Sequence, residues 1–338
     1  MKEFENIVLT GYSILLISVV ALIIFRFLYY RRTRLSRISI HQEKGIFRIS
    51  RYLFVFAFSL FSLGLIQYIF ILQKGSLFAP HWAKALLIVV MAGLVVTEIA
   101  YNLHVKPGKI NRIFNLCMTT ILIFLSILLN KRYFDAIQHL GISSSVIIDL
   151  PFRGEWVATG AGASNLTNHH DRIPSQKYAV DIVKLGPNRK LFKGDGVANE
   201  DSYTFGAEII SPVNGTVVHI IDSLPDRNIQ DRDKLAGNHI IIQFQDTLYL
   251  ALAHLKQNSI LVKKGESVKI GDLLAQVGNS GNTDFPHLHI HIQNSETYDI
   301  GTTSTYPIRF REFKRNRYGY WTHQRDQFLL SNDIIKTQ

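Results

Sequence analysis

Pro286-His287-Leu288-His289-Ile290-His291 alternates imidazole and aliphatic side chains one by one. Alternation at period two marks a β-strand, whose successive side chains point to opposite faces. Read this way, Leu288 and Ile290 enter a core while His287, His289 and His291 share the other face. Three imidazoles on one face make either a wet polar wall or a metal site. Two upstream stretches bear on that choice. Ala253-His254-Leu255 closes an apolar run, and Tyr178-Ala179-Val180-Asp181-Ile182-Val183 sets a carboxylate among apolar residues, eleven positions after His170 in Asn168-His169-His170. A carboxylate in an apolar strand is costly unless a cation or hydrogen bonds satisfy it. A metal would satisfy it.

Outward from these stretches, the chain after Asp149 has short Val- and Ile-rich runs broken by Gly, Asn, Asp and Pro, which predicts a mostly antiparallel β domain. The expected strands are Ala179–Lys184, Gly206–Ile210, Gly215–Ile221, His239–Phe244, Leu248–His254, Leu273–Val277 and Leu288–Gln293. The charged run Asp222–Gly237 reads as a loop. Cys117 is the single cysteine, so no disulfide framework exists and the β domain needs its own core or a metal.

The ordered set of His170 and Asp181, then Ala253-His254-Leu255, then Ser280-Gly281-Asn282 leading to Pro286-His287-Leu288-His289, resembles the lysostaphin-type (LytM-like) zinc metallopeptidases. Ser211-Pro212-Val213-Asn214-Gly215-Thr216-Val217 and Val262-Lys263-Lys264-Gly265-Glu266-Ser267-Val268 resemble strands and turns of the same family. The resemblance runs over about 151–313. It implies a β-sheet, barrel-sandwich metallopeptidase fold, one Zn2+ per chain held by His170, Asp181 and His289, and catalysis by His254 and His287. It also implies a peptidoglycan peptide or other surface peptide as substrate.

The chemistry of those residue types agrees. Two imidazoles and a carboxylate leave the fourth tetrahedral position for water, whose pKa falls to about 7 on zinc. A neutral histidine can accept its proton and a second can serve the oxyanion; His287 is assigned as base and His254 to the oxyanion, two roles that the pair could also share or exchange. The family's usual spacing is His-x-Gly-x-Asp; here Asp171–Val180 is inserted and is expected to form a loop at the rim. The long form, Asn-x-His before Gln-x-Tyr-Ala-x-Asp, resembles a subgroup of the family. That spacing selects His170 over His169. His219 and His239 read as satisfied sheet residues, and His291 as either neighbouring a ligand or facing solvent.

The first part of the chain has a different texture. Of 338 residues 47% are hydrophobic and the formal charge is +11, yet residues 1–134 hold 16 Lys/Arg against 4 Asp/Glu while residues 135–338 hold 21 against 22. A near-neutral second part gives no footprint for nucleic acid. The cations of the first part cluster between the apolar stretches Ile7–Phe25, Tyr52–Gln73, Ala85–Leu103 and Ile113–Leu129. Stretches of that length predict four transmembrane helices, at about 7–30, 52–73, 84–103 and 113–129. The Lys/Arg bias then puts the β domain on the extracytoplasmic side of a bacterial cell membrane.

The expected organisation is a four-span membrane region over 1–134, a linker over 135–150, a metallopeptidase domain over 151–313 and a C-terminal tail over 314–338. The expected partners besides substrate are a lipid bilayer and a membrane or cell-wall protein. Two other readings stand beside the enzyme. One is a catalytically silent relative that binds wall or a partner hydrolase. The other is a biotinyl/lipoyl-like adaptor, suggested by the spaced glycines but lacking an evident modifiable lysine at a hairpin tip.

Overall fold

The computed structural model describes residues 24, 45–67, 81–104, 109–137, 145–165, 167–227, 231, 233–298 and 303–337. The chain divides into two compact units, with the boundary between Phe134 and Asp135.

In the first unit the apolar runs form helices: α1 (Gly45–Gln67), α2 (His81–His104) and α3 (Lys109–Ile137). Phe54, Ala57 and Leu122 are buried against one another, and the Ser126 hydroxyl donates to the Leu122 carbonyl at 2.6 Å. Among the described residues no helix is long and apolar enough to cross a membrane. This overturns the expected four-span region at 52–73, 84–103 and 113–129, and with it the multi-pass membrane location and the bilayer partner. The expected first span, 7–30, lies outside the described residues apart from Ile24. The physical reason lies in where polar groups fall. Arg48, Arg51, Ser59, Ser62 and Gln67 punctuate α1, Lys84, Thr97, Glu98 and Asn102 punctuate α2, and Asn115, Asn130, Lys131, Arg132 and Asp135 punctuate α3. The continuous apolar runs they leave fall short of the ~20 residues a hydrocarbon layer demands.

The second unit is built on β1 (Val146–Ile148), β2 (Glu155–Gly160), β3 (Val180–Lys184), β4 (Glu208–Ile210), β5 (Gly215–Ile221), β6 (Asn238–Gln245) and β7 (Leu248–Leu255). These are followed by β8 (Ser267–Val268), β9 (Leu273–Gln276), β10 (Leu288–Gln293), β11 (Thr305–Tyr306), β12 (Ile308–Asn316), β13 (Trp321–Gln327) and β14 (Ile334–Lys336). The main sheet runs β1-β12-β14-β2-β3-β10-β7-β6-β5-β8, and β4 pairs with β9 separately. Among the described residues every strand pairing is antiparallel except β1 with β12. All seven expected strands form, their ends shifted by at most two residues.

The strand alternation sorts two faces. Ile182, Ile240, Ile242, Leu250, Leu252, Leu288, Ile290 and Ile292 are buried in one apolar cluster. At roughly 20–33 cal/mol per Å² of apolar surface, burying each such side chain is worth about 1.5–3 kcal/mol. The opposite face carries Asp181, His289, His291 and Gln293. Residues 314–338, expected as a tail, complete β12 and supply β13 and β14. Strand β14 bridges β12 and β2, with Ile335 opposite both Arg315 and Trp156.

Candidate metal and catalytic centre

Asp181 lies on β3 directly opposite His289 on β10, and His289 in turn lies opposite Ala253 on β7. His291 lies opposite Ala251. Two alanines beside the two histidines leave the space above β7 to the imidazoles. On the other side, Gly160 at a bulge in β2 lets the backbone come close, since a Cβ there would meet Asp181 Oδ2 at 3.1 Å and His169 Cε1 at 3.3 Å.

The Asp181 carboxylate is 4% exposed and ringed by imidazoles. His170 Nε2 is 2.9 Å from Oδ2 and His289 Nδ1 is 3.0 Å from Oδ1. His169 Nε2 stands 3.5 Å from Oδ2, and His287 Nε2 stands 3.6 Å from Oδ1. Burial alone would push the carboxyl pKa up. The imidazoles of His170 and His287, with hydrogen bonds from His170 and His289, outweigh it and hold the pKa well below the usual carboxylate range. Burial is also the main reason that His289 is depressed to about 3.

Asn168 fixes His170 in place. Its side-chain oxygen accepts from the His170 backbone N–H at 3.1 Å, capping the 3-10 turn His169–Arg172. Its amide nitrogen donates to the carbonyls of Gly162 at 3.0 Å and Ala179 at 2.9 Å. The inserted segment folds back on itself, so that Gln176 Oε1 faces His170 Nδ1 at 3.1 Å. Gln176 Nε2 donates to the Tyr298 hydroxyl at 3.0 Å, and that hydroxyl lies 3.3 Å from His289 Nε2. His289 Nε2 also meets His291 Nδ1 at 3.0 Å, and His291 Nε2 meets Gln293 Oε1 at 2.6 Å. His291 is thus buried beside His289 rather than facing solvent.

His254 and His287 form the far side, with ring centroids 4.7 Å apart. His254 Nδ1 donates to the Ser280 carbonyl at 2.9 Å and His287 Nδ1 donates to the Phe285 carbonyl at 2.9 Å. A carbonyl can only accept, so both Nδ1 atoms carry protons and, in the neutral rings, both Nε2 lone pairs are free. Burial, then the neighbouring His287 and His289, holds His254 well below the ordinary histidine value. The position of His254 is not what strand alternation gives, for Leu252 faces the core and Ala253 the site. A backbone φ of +59° at His254 reverses the direction and turns the imidazole to the site face.

All five residues singled out by sequence, His170, Asp181, His254, His287 and His289, therefore come together. The His-to-Asp spacing sets His169 aside, yet it converges with His170 and Asp181 closely enough for the three to share an ion. Its side chain is 54% exposed against 8% for His170. Tyr298 and Gln293 carry no sequence signal as site residues, whereas Gln176 is the glutamine of the Asn-x-His…Gln-x-Tyr-Ala-x-Asp pattern. The Arg153 carbonyl accepts from the Trp156 indole N–H at 2.9 Å.

Residues 200–300 match the family model described as Peptidase family M23. A relative described as an uncharacterized metalloprotease of Buchnera aphidicola is 31% identical over 120 residues, which are 35% of this chain and 29% of that protein. Peptidoglycan DD-endopeptidase ShyB of Vibrio cholerae is 29% identical over 133 residues, 38% of this chain and 29% of that protein. Peptidoglycan DD-endopeptidase ShyA of the same organism is 40% identical over 57 residues, 17% and 13% of the two chains. The chain thus spans under a third of the length of each of these relatives. A solved zinc-containing peptidase from Vibrio cholerae is 30% identical over 27% of this chain and 24% of its own, with a TM-score of 0.22, too low for likeness of shape to carry weight. The likeness to the M23 metallopeptidase family thus rests on residues 200–300, under a third of this chain.

Proposed function

We propose that this domain is a zinc endopeptidase that hydrolyses peptide bonds of peptidoglycan. The observation that carries the reading is the buried Asp181 carboxylate with His170 Nε2 on one oxygen and His289 Nδ1 on the other. Two imidazole nitrogens and one carboxylate, converging from β3, β10 and a capped turn, form a donor set suited to zinc with one position left open. His170, Asp181 and His289 would hold the ion, one per chain. Bound there, zinc supplies a Lewis acid and an acidified water.

The remaining steps belong to the protein. His287 receives a proton from the attacking water at its free Nε2. His254 takes up a solvent proton at Nε2 as the oxyanion develops, donates to it and keeps that proton until product leaves, while the proton held by His287 goes to the leaving amine and returns His287 to its neutral form. In each ring Nδ1–H is committed to a backbone carbonyl, so proton movement is confined to Nε2 and the ring cannot turn away between steps. The family match and the peptidoglycan endopeptidases among the relatives support this substrate class.

The test is digestion of purified peptidoglycan by the full chain, with released peptides identified by mass spectrometry and zinc measured in the same preparation. Peptide release that depends on zinc and disappears in Asp181→Ala is the expected result. Zinc retention without release would favour the wall-binding, catalytically silent alternative.

A further inference from the structure

The segment Asp171–Val180 is expected from sequence to shape the rim of the site, and Arg172, Ile173 and Pro174 are exposed there. Gln176 is not. It is buried, 8% exposed, at the end of a second 3-10 turn, Pro174–Gln176. Its position is fixed by a backbone bond from Gln176 N–H to the Ile173 carbonyl and another from Ala179 N–H to the Gln176 carbonyl, at 2.9 and 2.8 Å. The side chain therefore points back into the centre from a braced turn, where it meets His170 at one end and Tyr298 at the other.

We propose that Gln176 is a positioning residue for the metal centre, holding His170 through Nδ1–H so that Nε2 keeps its lone pair for the ion that Asp181 would share. This inference rests on the zinc reading above. An imidazole donates through only one nitrogen when neutral, and the acceptor facing one nitrogen decides which atom is left for a metal. An amide side chain could present either its oxygen or its nitrogen to His170. The Tyr298 hydroxyl takes the Gln176 N–H2 end, which leaves the carbonyl end for His170 Nδ1. The same hydroxyl reaches His289 Nε2, so one amide and one phenol tie the two imidazoles on opposite oxygens of Asp181 into a single frame. The insertion that lengthens the His-to-Asp spacing thereby acquires a role of its own. It supplies a bond that a spacer of three residues, confined to the direct path from His170 to Asp181, has no chain to make.

The test is zinc affinity, measured on the full chain by competition with a chromogenic chelator, alongside the melting temperature of the metal-free protein. Gln176→Met keeps the length and removes the acceptor. Gln176→Glu keeps an acceptor and adds charge. A zinc affinity about 10–100-fold weaker in Gln176→Met is expected, the usual scale for loss of a hydrogen-bond partner behind a ligand. Gln176→Glu should bind within about threefold of wild type or tighter, because a carboxylate accepts from Nδ1–H at least as well. Tyr298→Phe should weaken zinc less than Gln176→Met, since Gln176 remains. Should Gln176→Met fail to fold, Gln176→Leu is measured in its place against the same Gln176→Glu. Wild-type affinity in the apolar variant, or equal weakening by Gln176→Glu, overturns the proposal while leaving the zinc reading intact. A wild-type chain that holds no zinc overturns both.

Discussion

Two groups of histidines lie on one sheet and look alike until their partners are compared. In the first, His170, His287 and His289 direct nitrogens at the Asp181 carboxylate. In the second, His219 and His239 stack with rings 9° from parallel, and His219 Nδ1 meets His239 Nε2 at 3.1 Å. His239 Nδ1 donates to the Gly237 carbonyl at 2.8 Å. That pair is satisfied by a carbonyl and by itself, without a carboxylate to gather further ring nitrogens. The difference teaches that burying imidazoles together is not enough to make a cation site. A centre needs an anion beneath the rings and backbone anchors that leave the correct nitrogen of each ring free.

The sharpest way to break the comparison is to remove the anion. Asp181→Ala should lose zinc through dialysis and reduce peptidoglycan hydrolysis to background, and His289→Ala should do the same. Metal analysis with turnover on the same samples checks this, and zinc retained by Asp181→Ala would erase the distinction between the two groups. Next in size are the rings whose Nδ1 is anchored to a carbonyl. His254→Ala and His287→Ala should keep most of the zinc and lower kcat by about 10²–10⁴-fold. Equal zinc loss in all four variants would mean that the division between holding and proton transfer is misplaced.

The second group should answer to pH rather than to zinc. Burial, with a lesser contribution from His219, lowers His239 to about 4 from its ordinary value of 6.5. Unfolded chains therefore bind a proton between those values that folded chains refuse. The contribution of the neutral ring is whole above about pH 6.5 and is lost as pH falls toward 4, an effect on the order of 3 kcal/mol at about 1.36 kcal/mol per pKa unit. His239→Gln should flatten the acid side of the stability profile by about one proton, seen in denaturant midpoints from about pH 7 to 4. A parallel profile in wild type and variant would contradict this.

The smallest effect tests the neighbour that geometry makes ambiguous. His169→Ala should keep zinc and at least a tenth of the activity, because its half-exposed ring stands further from Asp181 than His170 does. The reverse pattern, His169 essential and His170 dispensable, would move the ligand by one residue.

How much of this is legible in the sequence depends on the range of the interactions. The faces of β10 and the burial of Asp181 are local consequences of alternation, and the sequence displays them. The orientation of His254 is not legible, because it depends on one left-handed backbone angle that no pattern of residue types announces. The bond from Gln176 to Tyr298 joins residues 122 positions apart, and such a contact exists only after the sheet has formed. In the helical unit, hydropathy locates the helices well but overstates their apolar reach, since polar residues count for more in crossing a membrane than in forming a helix. Residues 314–338 read as a tail because the resemblance to the family ends near Phe313, although Phe313 is fully buried and the strand that holds it runs on to Asn316.

Strand β14 has a consequence of timing. Synthesis proceeds from the N-terminal side, yet Ile334–Lys336 lies between β2, made early, and β12. A growing chain on the ribosome can pair β3, β10, β7 and β6 as soon as residue 293 has emerged, but β2 keeps one edge open until residue 336 appears. An open edge invites strands from other chains. During that interval the strand that ends at Gly160, against the Asp181 carboxylate, presents unpaired backbone groups along the edge that β14 later covers.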